Sequence, residues 1–297
     1  MHKLKLATLI LPFVALPCCL GAENYAVLFS GGGNLSNNWD RYYTQTFRMW
    51  SVLTTQLGYS AGNVHVLFAD GTDPSLDQKK ADTYEDVNSD WSAVTSAGSS
   101  VLSATRANFA STLSLVGYTM VSGQDSFYFW SFDHGFTDGT QGSGSLIGWN
   151  TEDLFAESIY TSEISSLLSP ITAKNPIWEA YVMTQCFAGD FLYGLGISEA
   201  DTNRFFAYAA EWDEESWDYS FADSWAEGLE SGLTSTHALG DYAVENDIYG
   251  QYGTAEETPG YVGGDFLLPV PEPATWTLFG GLGALGVALL RRRKSRL

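Results

Sequence analysis

Cysteine and basic residues are scarce in this 297-residue chain, and each scarcity narrows what it does. Three cysteines occur, two of them (Cys18 and Cys19) within the first 22 residues. Cys186 is alone in the remainder, so the body forms no internal disulfide even in an oxidising compartment. Lysine and arginine total 14 against 35 aspartates and glutamates. Two of those 14 lie in the first five residues and five in the last seven, which leaves seven for the body. A body this acidic repels phosphate, which argues against nucleic acid and anionic membrane surfaces as partners. There are four histidines, and none pairs with another at metal-ligand spacing, so a zinc centre is not expected. No Gly-Lys-Ser/Thr follows Gly31-Gly32-Gly33, which removes a phosphate-cradling loop.

Long apolar runs are confined to the two ends. Residues 1–22 carry His2, Lys3 and Lys5, then an apolar stretch, then Gly21-Ala22. This is the pattern of a secretory signal peptide cut after Ala22. Residues 270–297 hold Pro271-Glu272-Pro273, an apolar span from Ala274 to Leu290, and the cluster Arg291, Arg292, Arg293, Lys294 and Arg296. The span is just long enough to cross a bilayer, and the basic cluster keeps its end cytoplasmic, so the body lies on the far side. Triplet, short Gly-rich span and arginine cluster together resemble the PEP-CTERM sorting signal of bacteria that carry exosortase. The resemblance implies an exosortase-type partner, membrane contact before processing, and release to the cell surface or outside.

Between the ends, aromatics make up 14% of the whole sequence, which calls for a packed core. About 210 residues, 23–232, fit one domain. Apolar runs at 24–30, 63–70, 125–135, 176–186 and 204–210 read as strands. Helical spacing covers 39–57, 105–116, 161–171 and 219–231. Residues 72–100 are polar and read as a long loop. Within it, "DVNSDW" has oxygen ligands but lacks the glycine and closing glutamate of a calcium loop. Strands that alternate with helices imply a largely parallel sheet covered on both faces. Ligand chemistry in such sheets gathers at the carboxyl ends of the strands.

Three strand ends carry reactive or permissive residues: "SGGGNLSNNWDRY", Asp133-His134-Gly135, and Gln185-Cys186. A lone cysteine is either a small buried hydrophobe or a reactive thiol. Beside a histidine it becomes chemically useful, because the imidazole takes the thiol proton and returns it to a leaving amine. Backbone N–H groups of Gly135 and Cys186 are candidate donors to the oxyanion that forms. His65, inside a strand, reads as core or surface, and His237 has no evident partner.

The motifs "FYFWSFDHG" and "AYVMTQCFAGDF", with the histidine 52 residues before the cysteine, resemble the caspase/legumain clan of cysteine peptidases, most closely its legumain-like C13 branch. "YAVLFSGG…NNWDRYY" and "NVHVLFADG" are similar to its first two strands. The resemblance implies a caspase-like three-layer α/β sandwich and a cofactor-free cysteine endopeptidase acting on protein or peptide. It implies His134 as general base and acid, Cys186 as nucleophile, Gly135 and Cys186 as oxyanion donors, and Asn38, with Asn37 one position away, as the residue that orients the histidine. The specificity pocket falls on Asp40, Arg41, Thr184 and Ser216. Asparagine-specific legumains carry a basic residue at the place of Asp40 and a glutamate at that of Thr184. Asp40, with Glu214 or Glu215, would instead favour a basic side chain. Two other readings stay open: a non-catalytic surface or matrix protein on the same fold, and a transpeptidase. Residues 233–269, rich in Gly, Tyr and acid, read as a spacer or a cover over the site.

Overall fold

The computed structural model describes residues 21–217, 219–248 and 257–269. The expected signal peptide and the sorting tail therefore lie almost wholly outside the described residues. Strand β1 (Asn24–Ser30) leads through a glycine-rich turn into helix α1 (Asp40–Thr55), and β2 (Val64–Phe68) pairs parallel to β1. The polar stretch after it is not structureless. It holds a hairpin, β3 (Gln78–Lys79) and β4 (Asp86–Val87), a short helix α2 (Ser92–Ser96) and an edge strand β5 (Ser100–Leu102). Among the described residues no cluster of three or more His, Cys, Asp or Glu could hold a metal ion, there or elsewhere.

Helix α3 (Arg106–Thr119) brings the chain back to β6 (Ser126–Ser131), on the other side of β1. A small antiparallel sheet follows, of β7 (Gly135–Phe136), β8 (Ser145–Leu146) and β9 (Ile159–Tyr160), and then α4 (Thr161–Thr172). Strand β10 (Glu179–Met183), helix α5 (Phe191–Leu195), β11 (Arg204–Tyr208) and α6 (Ser220–Glu230) follow. Within 233–269, expected as a spacer or cover, α7 (Thr236–Asn246) packs on α6, and β12 (Gly260–Gly263) pairs antiparallel with β11. The Ser235 hydroxyl caps α7 at the Ala238 N–H, and Leu239 and Ala243 are its buried side.

The main sheet has the order β12-β11-β10-β6-β1-β2-β5, parallel except at β12. Its central strands are uninterrupted apolar runs because both faces are covered. Adjacent residues of β6 show this. Tyr128 accepts the Trp225 indole N–H of α6 at 2.9 Å, and Phe129 meets Phe109 of α3 edge-on at 5.7 Å. Helices α1, α6 and α7 pack together on one face, α3, α4 and α5 on the other. The layers match the expected α/β sandwich with a mostly parallel sheet. Successive strands are added to one side from β1 to β5 and to the other from β6 to β11, so the strand order reverses between β1 and β6, the switch point beyond whose carboxyl ends such sheets bind ligands.

Candidate active site

Strands β6 and β10 are neighbours, with Met183 paired to Ser131. Both end there, short of the sequence expectation, and each chain runs three residues further, to His134 and to Cys186. The two extensions are zipped together. Thr184 donates both its N–H, at 2.9 Å, and its hydroxyl, at 2.8 Å, to the Ser131 carbonyl. The Ser131 hydroxyl donates to Gln185 Oε1 at 2.7 Å. Gly135 then lies against the main chain of Cys186, where a Cβ would come within 1.9 Å of the Cys186 carbonyl oxygen. No other residue allows that approach.

Asp133 organises the histidine loop. It is buried, and its carboxylate accepts the main-chain N–H groups of Gly32 and His134, the latter at 2.6 Å. Burial pushes this carboxyl up to about 6, although the neighbouring His134 and the backbone at Gly32, His134 and Gly31 pull it down. The turn after β1 is thereby tied to the end of β6. Gly32 has a φ of +69°, and a Cβ there would strike the Asn38 side chain. Asn34 Oδ1 accepts from Ser36 N–H at 3.1 Å and from Asn37 Nδ2 at 2.9 Å, an Asx turn that fixes the next residues.

What this turn delivers is a main-chain oxygen. The His134 Nε2 lies 3.0 Å from the Asn37 carbonyl and 3.2 Å from the Tyr42 phenol oxygen. A carbonyl only accepts, so Nε2 carries the proton and Nδ1 is the basic nitrogen. Among the described residues Nδ1 has no hydrogen-bond partner. The expectation for Asn38 is corrected here: its side chain donates to the Asp77 carbonyl at 2.7 Å, away from the imidazole, and the orienting group is its neighbour's backbone.

Cys186 is partly buried. Its thiol donates to the Ser216 carbonyl at 3.5 Å, not to the imidazole. Burial pushes the thiol up and the Glu215 charge adds to it, against backbone hydrogen bonds from Ser216, Gly135 and Cys186 itself. The next residue, Phe187, has a left-handed φ of 59°, and its N–H is held by the Glu214 carbonyl at 2.8 Å. Strain of this kind in a non-glycine residue persists only where surrounding contacts over-determine it. The buried Asp190 adds such contacts by accepting Gly142 N–H at 2.6 Å and Gly144 N–H at 2.5 Å, which fastens the β7–β8 loop.

The four residues expected in a specificity pocket do not form one cluster. Thr184 is 2% exposed and spends its hydroxyl on Ser131. Asp40 faces the β3–β4 hairpin, accepting Ala81 N–H at 3.3 Å. Glu214 is likewise committed, to the N–H and hydroxyl of Thr258. Arg41 and Ser216 do lie by the pair: the Arg41 guanidinium carbon is 5.3 Å from the Tyr42 ring centroid, and Ser216 holds the thiol. The Ser216 loop is propped by buried Glu257, which accepts the Ser216 hydroxyl at 3.1 Å and Trp217 N–H at 3.0 Å. Tyr42 and Glu257 were not singled out from sequence as site groups, Asn37 stood there only as the neighbour of Asn38, and Asp133 only as part of the strand end Asp133-His134-Gly135. Of these only Asp133 carried a signal, a carboxylate ending an apolar run beside a histidine. Outside the site, His65 Nδ1 meets Ser100 Oγ at 2.7 Å and His237 Nε2 donates to the Gly263 carbonyl at 2.9 Å.

Residues 269–294 match the model of the PEP-CTERM protein-sorting motif. No curated protein matches the chain. Among solved structures, the crystal structure of drICE is similar at 11% identity and a TM-score of 0.41, over 82% of this chain and 87% of that one. Among the described residues no helix is long and apolar enough to cross a membrane.

Proposed function

We propose that this chain is an exported cysteine peptidase in which Cys186 is the nucleophile and His134 the general base and acid. One observation carries the reading. The backbone of Gly135 lies against that of Cys186, beside an imidazole whose Nδ1 has no hydrogen-bond partner among the described residues. The sorting motif at 269–294 supports export and implies recognition by an exosortase. A legumain-like specificity is not part of this proposal, because Asp40 and Thr184 are committed elsewhere.

The steps follow from the atoms present. The thiol is neutral at rest, so its proton passes to His134 Nδ1 as Sγ attacks the scissile carbonyl carbon. The new oxyanion accepts the Gly135 and Cys186 N–H groups, which reorganise little because the Gly135–Cys186 contact already fixes them. The C–N bond breaks, the imidazolium gives its proton to the leaving amine, and a thioester remains. Water, deprotonated by Nδ1, attacks that thioester, releasing the acid and restoring the thiol. Transpeptidation would use an amine at this last step.

The test uses the full chain as wild type, Cys186→Ala and His134→Ala, incubated with a mixed peptide library and read by mass spectrometry. Cleavage by wild type alone is the expected result. One observation favours the non-catalytic alternative: the thiol rests on the Ser216 carbonyl rather than on the imidazole. A folded wild type that neither cuts nor joins peptides would make that alternative the better account.

A further inference from the structure

We propose that Tyr42 is a positioning residue for His134: its phenol oxygen and the Asn37 carbonyl together hold the imidazole Nε2–H, so that Nδ1 is offered to the thiol. The inference rests on the peptidase reading above and adds to it a residue that the sequence shows only as part of an apolar helix stripe.

The hydrogen positions follow from valence. Nε2 stands 3.0 Å from the Asn37 carbonyl, which cannot donate, so the ring proton is on Nε2. The Tyr42 oxygen, 3.2 Å from the same nitrogen, therefore receives that proton and turns its own away. The imidazole edge thus meets two acceptors. The phenol is not a competing acid: burial first, then the Asp133 charge, holds it far above the ordinary range, so it stays neutral.

The placement is rigid. Tyr42 is 3% exposed and sits on α1. Its ring is edge-on to His134, at 5.3 Å and 79°, and edge-on to Phe132, at 5.1 Å and 77°. An imidazole held only by one carbonyl retains freedom to rotate and to exchange tautomers. A second oxygen from a helix removes it. When Nδ1 takes the thiol proton, the Nε2–H bonds become charge-assisted and strengthen, so Tyr42 acts most in the state the reaction passes through.

The experiment compares the full chain with its Tyr42→Phe variant, in which the ring keeps its contacts with Phe132 and only the hydroxyl is lost. Peptide cleavage gives kcat and KM. Nitrogen-15 NMR of histidine-labelled protein gives the tautomer and the exchange of the Nε2 proton with water, the His134 signals being identified by their loss in His134→Gln. The expected result is a kcat lower by on the order of tenfold with KM unchanged, and faster exchange of the Nε2 proton. Unchanged exchange in Tyr42→Phe overturns the proposal, whether or not kcat falls, since a fall without it reports a structural role. Faster exchange with an unchanged kcat also overturns it, because the contact then does nothing for the reaction. If the wild type cuts no peptide, the peptidase reading falls by itself. Proton exchange then still decides whether Tyr42 holds the imidazole.

Discussion

Gly135 and Cys186 touch through their backbones: the place a Cβ on Gly135 would take lies 1.9 Å from the Cys186 carbonyl oxygen and 3.1 Å from Gln185 Cγ. One neighbour is main chain and does not move aside, so Gly135→Ala pushes the histidine loop off the cysteine loop. Thermal unfolding should show a loss of about 1–3 kcal/mol, the usual cost of overpacking. Peptide cleavage should fall further than that loss explains, because the same shift separates the two N–H donors. A Gly135→Ala protein with wild-type melting and turnover would mean the contact is looser than described.

The protonated thiol gives a second expectation. Burial raises the Cys186 thiol and the adjacent Glu215 charge adds to this. The iodoacetamide alkylation rate of Cys186 should therefore keep climbing with pH beyond the point at which an ordinary exposed cysteine has levelled off. Glu215→Gln should shift that curve toward lower pH. A rate already at its plateau near neutrality would show instead that thiolate and imidazolium exist as an ion pair at rest.

Asp133 binds two main-chain N–H groups in the interior, from Gly32 and His134. Asp133→Ala leaves them without an acceptor, at a cost of about 1–3 kcal/mol. The functional effect should be larger than the stability effect, because the turn that presents the Asn37 carbonyl to His134 is tied down through this carboxylate. Cleavage kinetics and denaturant unfolding measured on the same preparation separate the two.

The sheet was legible because its central strands are buried on both faces and so appear as plain apolar runs. Residues 24–30 and β1 coincide, and α1 falls inside the expected 39–57. The reactive residues could be found because a cysteine and a histidine at strand ends have few other reasons to be there. Asn37 could be named only as the neighbour of Asn38, because it acts through a carbonyl that every residue possesses. Tyr42 was hidden in a helix stripe, where an aromatic reads as core. Assigning the orienting role to Asn38 followed from side-chain identity, and Asn38 turns that side chain to Asp77 instead. Helix α7 and strand β12 were missed because Gly240 interrupts the first and glycines form both ends of the second. Gly240 is there to admit the Tyr261 ring, whose Cδ1 would be 2.4 Å from a Cβ.

Glu257 supplies the last expectation, in pH dependence. Burial first, then the charge of Asp247, pushes its carboxyl up to about 8, although Trp217 N–H and the Ser216 hydroxyl pull it down. A carboxyl raised in the folded state favours folding while it is protonated. Its contribution is complete below the ordinary carboxylate value of 4.5 and is lost as pH rises through about 8. Melting temperature should therefore fall between pH 5 and pH 9, and Glu257→Gln, which stays neutral, should flatten that slope. Because Glu257 props the Ser216–Trp217 loop that holds the thiol, its ionisation should also loosen that loop. Alkylation of Cys186 should then rise more steeply with pH in wild type than in Glu257→Gln. Parallel pH curves for the two proteins, in melting and in alkylation alike, would show that this carboxyl is already ionised in the fold and governs neither.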